Sequence, residues 1–476
     1  MNIEIIIPLL AYLLVMLGVA LWVYSKKQRG GFLENFFIGN RSMNGFVLAM
    51  TLMATYISAS SFIGGPGAAY KYGLGWVLLS MIQLPVVWLS LGVLGKKFSI
   101  LARRYNAVTL NDVLYARFQS HAIVWISGLS LLIAFFAAMT VQFIGGARLL
   151  ETATGVPYGV GLLIFAGTVA VYTALGGFRG SVLNDAIQGV VMLIGALLLL
   201  TAVIYAAGGI PSAMRTLNAI DPALTSPYAP NHFLSFPMMA SFWVLVCFGV
   251  IGLPHTAVRC IAYQDSRAMH RGIIIGTIVT GILMCTMHLT GVLGRAVISD
   301  LTIPDQVVPA LMVRVLPPVF AGIFLAAPMA AIMSTVNAQL LQSAATLIKD
   351  LFLRVRPHAS LSETKLSVST RLITFVLGLL LIVAAWQPPD MLIWLNLLAF
   401  GGLQAVFLWP LVLGLYWERA NAAGAILSMV TGGTCYILLT LLKPNLLGWH
   451  IVVPSLTVSL IGFLTGVFLF REGNKK

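Results

Sequence analysis

The sequence predicts an all-α integral membrane protein of about 13 transmembrane helices, with a core of two inverted five-helix repeats, each opening on a broken helix. Composition, the spacing of apolar stretches and a twice-used Ile-Gly-x-Pro tetrapeptide carry this expectation. Of 476 residues, 59% are hydrophobic and 9% charged, against roughly 25% charged in a soluble protein. Mean hydropathy is +0.96. Such a chain cannot cover itself with a wetted surface, so its outside must face lipid.

A membrane-crossing helix needs about 20 mostly apolar residues. Stretches of that kind fall near 3–25, 44–70, 75–98, 121–148, 157–175, 182–207, 236–262, 270–295, 314–348, 370–387, 391–416, 420–441 and 449–470, numbered here as spans 1 to 13. Span 1 follows Met1 with no basic leader and no small-residue cleavage site, which reads as a retained helix. The chain carries 28 Lys and Arg against 14 Asp and Glu, and the basic residues alternate by side. Six of them, Lys71, Arg148, Arg215, Arg295, Arg314 and Lys443, fall on one side, and the other 22 on the opposite side. Positive loops stay cytoplasmic, so the N-terminus is expected outside and the C-terminus inside. Alternation by side also argues against a nucleic-acid surface. Cys247, Cys260, Cys285 and Cys435 sit in or beside apolar spans without CxxC spacing, as small hydrophobes do.

Spans 2 and 7 differ from the rest. Span 2 runs through Ser58, Ser60 and Ser61 into Ile63-Gly64-Gly65-Pro66, and span 7 through Val250 into Ile251-Gly252-Leu253-Pro254-His255. Proline removes a backbone donor, and inside lipid a broken helix is tolerated only where its polar groups are buried in protein or line a cavity. The two breaks are five spans apart, an odd number, so the two segments enter the membrane from opposite sides. That marks inverted repeats over 44–207 and 236–416, joined by an outer loop at 208–235 and flanked by peripheral segments at 1–43 and 417–476, with a binding site near the midplane.

Few ionisable groups are expected deep in the spans, Asp185 near the start of span 6 being the exception. In span 9, Ala331, Ser334 and Thr335 share one helix face by their i, i+3, i+4 spacing. Their two hydroxyls and one carbonyl, with the carbonyls of Ala54 and Ile57 before the span 2 break, would make an uncharged five-oxygen site suited to sodium. The other reading is hydroxyls bonded back to their own helix. No pattern implies an organic cofactor or another metal. The seven His are scattered, with no HExxH and no Ser/His/Asp grouping, which argues against an enzyme. The short tail after span 13 argues against an attached signalling module, and the inverted repeat favours a carrier over a channel.

At these residues the chain resembles the sodium/solute symporter family over essentially its whole length. The stretches ENFFIGNRS (34–42), TALGGFRGSVLNDAIQ (173–188), GLPHTAVR (252–259), APMAAIMSTVNAQLLQSAATLIKD (327–350) and GLYWERANAAGA (414–425) carry the resemblance. Within the family it is most similar to the bacterial pantothenate branch, through 54–76, 247–260 and 398–410. The resemblance implies a leucine-transporter-like fold, alternating access, an inner-membrane location with a periplasmic N-terminus, and sodium-coupled uptake of pantothenate. Symport of another small monocarboxylate or an amino acid is the alternative. It also places the family's sodium site on Ala54, Ile57, Ala331, Ser334 and Thr335, and sets Asp185 beside the cytoplasmic sodium path. For Asp185 the other reading is an ordinary acid at a helix N-terminus. Tyr56 is a departure: the proline branch has Asp and the sugar branch Asn at that position, so no span 2 carboxylate can hold sodium here.

Pantothenate is a small amide-containing carboxylate, and the spans offer no deep Arg or Lys to meet it. Helix N-termini after the breaks, near 61–67 and 252–256, are expected to offer N–H groups and a positive dipole end. Candidate contacts are Ser58, Ser60, Ser61, Gly64 and Gly252. Gln142 is either a cavity contact or a helix-to-helix bond, and Trp243 an apolar wall or a lipid-facing ring. His255 either meets substrate or satisfies loosened carbonyls of span 7. Arg259, with Arg267 and Arg271, is expected as a cytoplasmic anchor or as a pair across the inner gate.

Overall fold

A computed structural model describes residues 3–25, 32–355, 362–388 and 392–470. The basic residues Lys26, Lys27, Arg29, Arg356, Arg471, Lys475 and Lys476 lie outside the described residues, so their expected cytoplasmic placement has no structural counterpart. The described chain is helical throughout, and its one β-bridge pairs Met43 with Tyr263. Ten helices are long and apolar enough to cross a membrane, and two bent pairs bring the number to 12. Each of spans 1, 3, 4 and 8 to 13 matches one of these helices, and spans 2 and 7 are the bent pairs.

Spans 5 and 6 are two helices that follow each other within Tyr158–Ala206, 49 residues, and meet at a kink. Unbroken, 49 residues at 1.5 Å each would run about 74 Å, enough for two crossings of a hydrocarbon core of about 30 Å. Gly177 makes the kink, with φ 55° and ψ −158°. A side chain there would be strained, and a Cβ would sit 2.6 Å from the Phe36 ring.

Span 9, Pro318–Val355, forms the centre: 78% of its most apolar window is buried, against 28% for spans 1 and 12 and 22% for span 10. Tyr172 in span 5 braces span 9 by donating to the Met333 carbonyl at 2.9 Å. Span 1 packs its Ala20 against Gly176 and Gly180, while Gln188 reaches back to Tyr12 at 3.1 Å. Spans 12 and 13 form a hairpin against span 11, where Gly432 admits the Ala405 carbonyl and Ser459 donates to it at 2.9 Å.

Span 2 bends by 67° between Gly45–Tyr56 and Ser60–Tyr72. The break falls at 57–59, upstream of the proline motif. Pro66 sits in the first turn of the following helix, where a missing N–H costs little, and a wide π-turn at Ser60–Gly64 precedes it. In span 7 the motif does mark the break: Phe236–Gly252 and Pro254–Ala262 meet at 44°, with Leu253 extended at φ −90° and ψ 115°.

Candidate functional site

The first half of span 2 is capped by Asn44, whose Oδ1 accepts from Val47 N at 2.9 Å. Its last carbonyls have no helical partner and form the negative end of the half-helix dipole. They point at the fully buried Ser334 and Thr335. Ser334 Oγ lies 2.7 Å from the Ala54 carbonyl oxygen, 2.9 Å from that of Ala330 and 3.0 Å from that of Ala331. Thr335 Oγ1 lies 3.2 Å from the Thr55 oxygen, 3.3 Å from that of Ile57 and 3.1 Å from that of Ala331. Two hydroxyl protons thus face five carbonyl oxygens. The structure brings together all five residues picked by spacing, and adds the carbonyls of Thr55 and Ala330. Neither was foreseen, because only the actual position of the break shows which carbonyls turn toward span 9.

Span 4 holds the break in place. Gln142 Oε1 accepts from Ala59 N at 2.8 Å, and Gly145 lets Ala59 approach closely. Gln142 is therefore a helix-to-helix contact and does not line the cavity.

Beyond the break lies a small cavity of about 60 Å³. Ser58, Ser60, Ser61, Tyr56, Gln83, His288 and Asn396 supply its polar lining, and Trp76, Phe242, Phe400 and Leu79 much of its apolar wall. Tyr56 donates its hydroxyl proton to Gln83 Oε1 at 2.7 Å, a bond between spans 2 and 3. Trp394 packs edge-on against both Trp76 and Phe242, at 6.0 and 6.4 Å. Phe233 packs on Trp394 and stacks on Tyr72 at 4.2 Å. This aromatic column closes the cavity on the side of the 208–235 loop. Tyr56, Gln83, His288 and Asn396 were not singled out for the cavity; a mid-span amide or imidazole in spans 3, 8 and 11 was the signal available.

Several expected contacts lie elsewhere. Trp243 is 44% exposed and packs on Phe248, because the helix turns its ring outward. Gly64 packs against Ile393, and Gly252 against Leu408, as close helix approaches. His255 is wedged between the rings of Phe135 and Phe400 at 5.6 Å each, and neither ring nitrogen has a hydrogen-bond partner. It satisfies no loosened carbonyl. The first N–H groups after the span 2 break are also taken. Ala59 N donates to Gln142, Ser60 N to Ser58 Oγ at 3.2 Å, and Ser61 N and Phe62 N to the Ser58 carbonyl. In span 7 the new helix starts on Pro254, which has no N–H.

Arg259 is not a surface anchor: it is 2% exposed and pairs with the fully buried Asp185 at 3.2 Å. Thr51 Oγ1 donates to the same carboxylate oxygen at 2.5 Å and accepts from Arg259 Nε at 3.1 Å. The pair thus ties span 6 to both broken spans, on the far side of the five-oxygen cluster from the cavity. A second buried pair, Arg148 with Asp305 at 3.6 Å, lies toward the opposite face, where Asp305 also accepts from Leu392 N at 2.7 Å. Two arginines at span ends are thus buried in protein, each matched to an acid, as buried charges usually are.

Comparison with known proteins agrees with this architecture. The family model described as "Sodium:solute symporter family" matches residues 36–432. The chain is 67% identical to the sodium/pantothenate symporter of Escherichia coli K12, over 98% of this chain and 96% of that protein. It is 60% identical to the Haemophilus influenzae sodium/pantothenate symporter over the same shares. The fold is similar to that of a Na+-coupled sialic acid symporter solved with substrate bound, with a TM-score of 0.85 at 19% identity, covering 99% of both chains. The chain is a multi-pass membrane protein and belongs to the sodium:solute symporter family.

Proposed function

We propose that this protein carries pantothenate into the cell by sodium symport, and that sodium binds among the carbonyls of Ala54, Ile57 and Ala331 and the hydroxyls of Ser334 and Thr335. The surplus of oxygens over protons at Ser334 and Thr335 carries this reading. Two hydroxyls can donate two protons, yet five carbonyls crowd them within 3.3 Å, and a small hard cation removes that conflict. The dipole of the half-helix ending at Tyr56 has the right sign.

Substrate occupies the cavity past the break. Among the described residues its lining holds no Asp, Glu, Lys or Arg, so the full charge that offsets a substrate carboxylate is the sodium ion itself. The relatives at 67% and 60% identity both carry pantothenate in their names. Asp185, held by Thr51 and Arg259, stands on the inner sodium path.

The inverted repeat is part of the same proposal. Spans 2 and 7 both bend, the sequence sets them five spans apart, and counting the halves of Tyr158–Ala206 separately gives thirteen crossings with the N-terminus outside and the C-terminus in the cytoplasm.

Labelled pantothenate uptake into proteoliposomes tests the proposal. Accumulation above equilibrium is expected with an inward sodium gradient and not with an equal potassium gradient. Uptake indifferent to the cation would sink the sodium site, and no uptake by folded protein would sink the substrate.

A further inference from the structure

Several polar atoms of the cavity wall are already committed to the protein, while Ser60 Oγ and Asn396 Oδ1 have no partner. Tyr56 gives its proton to Gln83, Gln83 Nε2 donates to the Ser80 carbonyl at 3.3 Å, and Ser80 Oγ donates to the Val77 carbonyl at 2.7 Å. His288 on span 8 is different. It is 3% exposed and lines the cavity. Its Nδ1 lies 2.7 Å from the Met284 carbonyl oxygen. A carbonyl only accepts, so Nδ1 carries the ring proton and the neutral imidazole keeps a bare lone pair on Nε2. Nε2 abuts the start of the second half of span 2: a Cβ on Gly65 would stand 2.5 Å from it and 3.1 Å from the Ser60 carbonyl oxygen. Ser60 Oγ, in the same stretch, has no partner.

A fixed acceptor and an unpartnered hydroxyl in one wall, which among the described residues carries no full charge, suit a group that both gives and takes a proton. An alcohol does this; an amide N–H only gives, and a carboxylate only takes. We infer that His288 is a specificity-determining residue of this site: its Nε2 accepts the proton of a substrate hydroxyl, which in turn accepts from Ser60. The inference deepens the pantothenate reading and rests on it, since pantothenate carries two hydroxyls at the end away from its carboxylate. It assigns that end to the wall formed by spans 2 and 8.

Competition against labelled pantothenate uptake tests this, using the reconstituted full chain and two analogues that each lack one hydroxyl. With the wild-type protein, at least one analogue should compete about tenfold more weakly or worse, because a site left with an unpaired acceptor rejects the deoxy compound. His288→Phe and His288→Leu should each compress that preference to about twofold or less. His288→Gln, whose amide oxygen still accepts, should keep most of the preference. Two deoxy analogues that compete with the wild type as well as pantothenate would overturn the inference without any variant. So would a His288→Leu protein that discriminates as the wild type does. A carboxamide analogue adds a further arm: if His288→Gln loses preference for the carboxylate and not for the hydroxyl, the ring acts as a cation and the assignment is wrong. Absence of wild-type pantothenate uptake is a separate result, which fails the substrate reading itself.

Discussion

Ser334 and Thr335 each have one proton and three carbonyl neighbours. Replacing either with Ala removes an oxygen that a bound cation would use, so the sodium concentration for half-maximal uptake should rise about tenfold or more, by about 1.5 kcal/mol or more for a charge-assisted contact. Half-saturation by pantothenate should rise with it, because sodium offsets the substrate charge; Thr335→Ser should retain both. Sodium-titrated uptake checks this, and independent sodium and substrate affinities would contradict it. At Asp185 and Arg259 the expected effect is on folding. Removing one partner leaves a lone buried charge at a cost of about 3–5 kcal/mol, so Arg259→Leu should lower the melting temperature in detergent far more than Asp185→Asn combined with Arg259→Leu. Ser334, Thr335 and Ala331 were legible in the sequence because helical spacing alone puts them on one face. The Asp185–Arg259 pair was only partly legible, since nothing local says that residues 74 positions apart meet. His255 misled for a related reason: a polar residue beside a break suggests a partner, but the rings of Phe135 and Phe400 occupy that space.

Between helices, glycines decide how closely the parts approach. Gly291 in span 8 faces the Pro66 carbonyl of span 2, and a Cβ there would collide with backbone. Gly167, on the outer side of span 5, has nothing within 4 Å. Gly291→Ala should therefore destabilise by about 1–3 kcal/mol through overpacking, while Gly167→Ala should be neutral or slightly stabilising. Thermal unfolding of the two purified variants makes the comparison, and equal melting temperatures would refute it. The apolar stretches were readable because lipid leaves the helix little choice of length. The break in span 2 was misplaced by several residues because a proline near a helix start is harmless, while the extended backbone at Ile57 has no marker of its own. In span 7 the proline and the break coincide, so the same tetrapeptide gave the right position there.

Across the whole molecule, the site lies between two kinds of closure. On one side the column Tyr72, Phe233, Trp394, Trp76 and Phe242 seals the cavity with ring contacts; on the other, Thr51, Asp185 and Arg259 join the broken spans through charge. Trp394→Ala should loosen the aromatic side only. A Ser60→Cys probe should then react several-fold faster with a membrane-impermeant thiol reagent added outside, and an unchanged rate would remove the column from the closure. The pairing of Met43 with Tyr263 bears on how such closures open. Met43 N donates to the Ala262 carbonyl at 3.3 Å and Gln264 N to that of Met43 at 3.0 Å, so the start of one broken helix is fastened to the end of the other. Fastened parts share a hinge. A push on either half-helix is passed in part to the other through these two bonds. Such a fastening disfavours a posture in which one broken helix has moved and its partner has not, the posture through which a sodium gradient would drain.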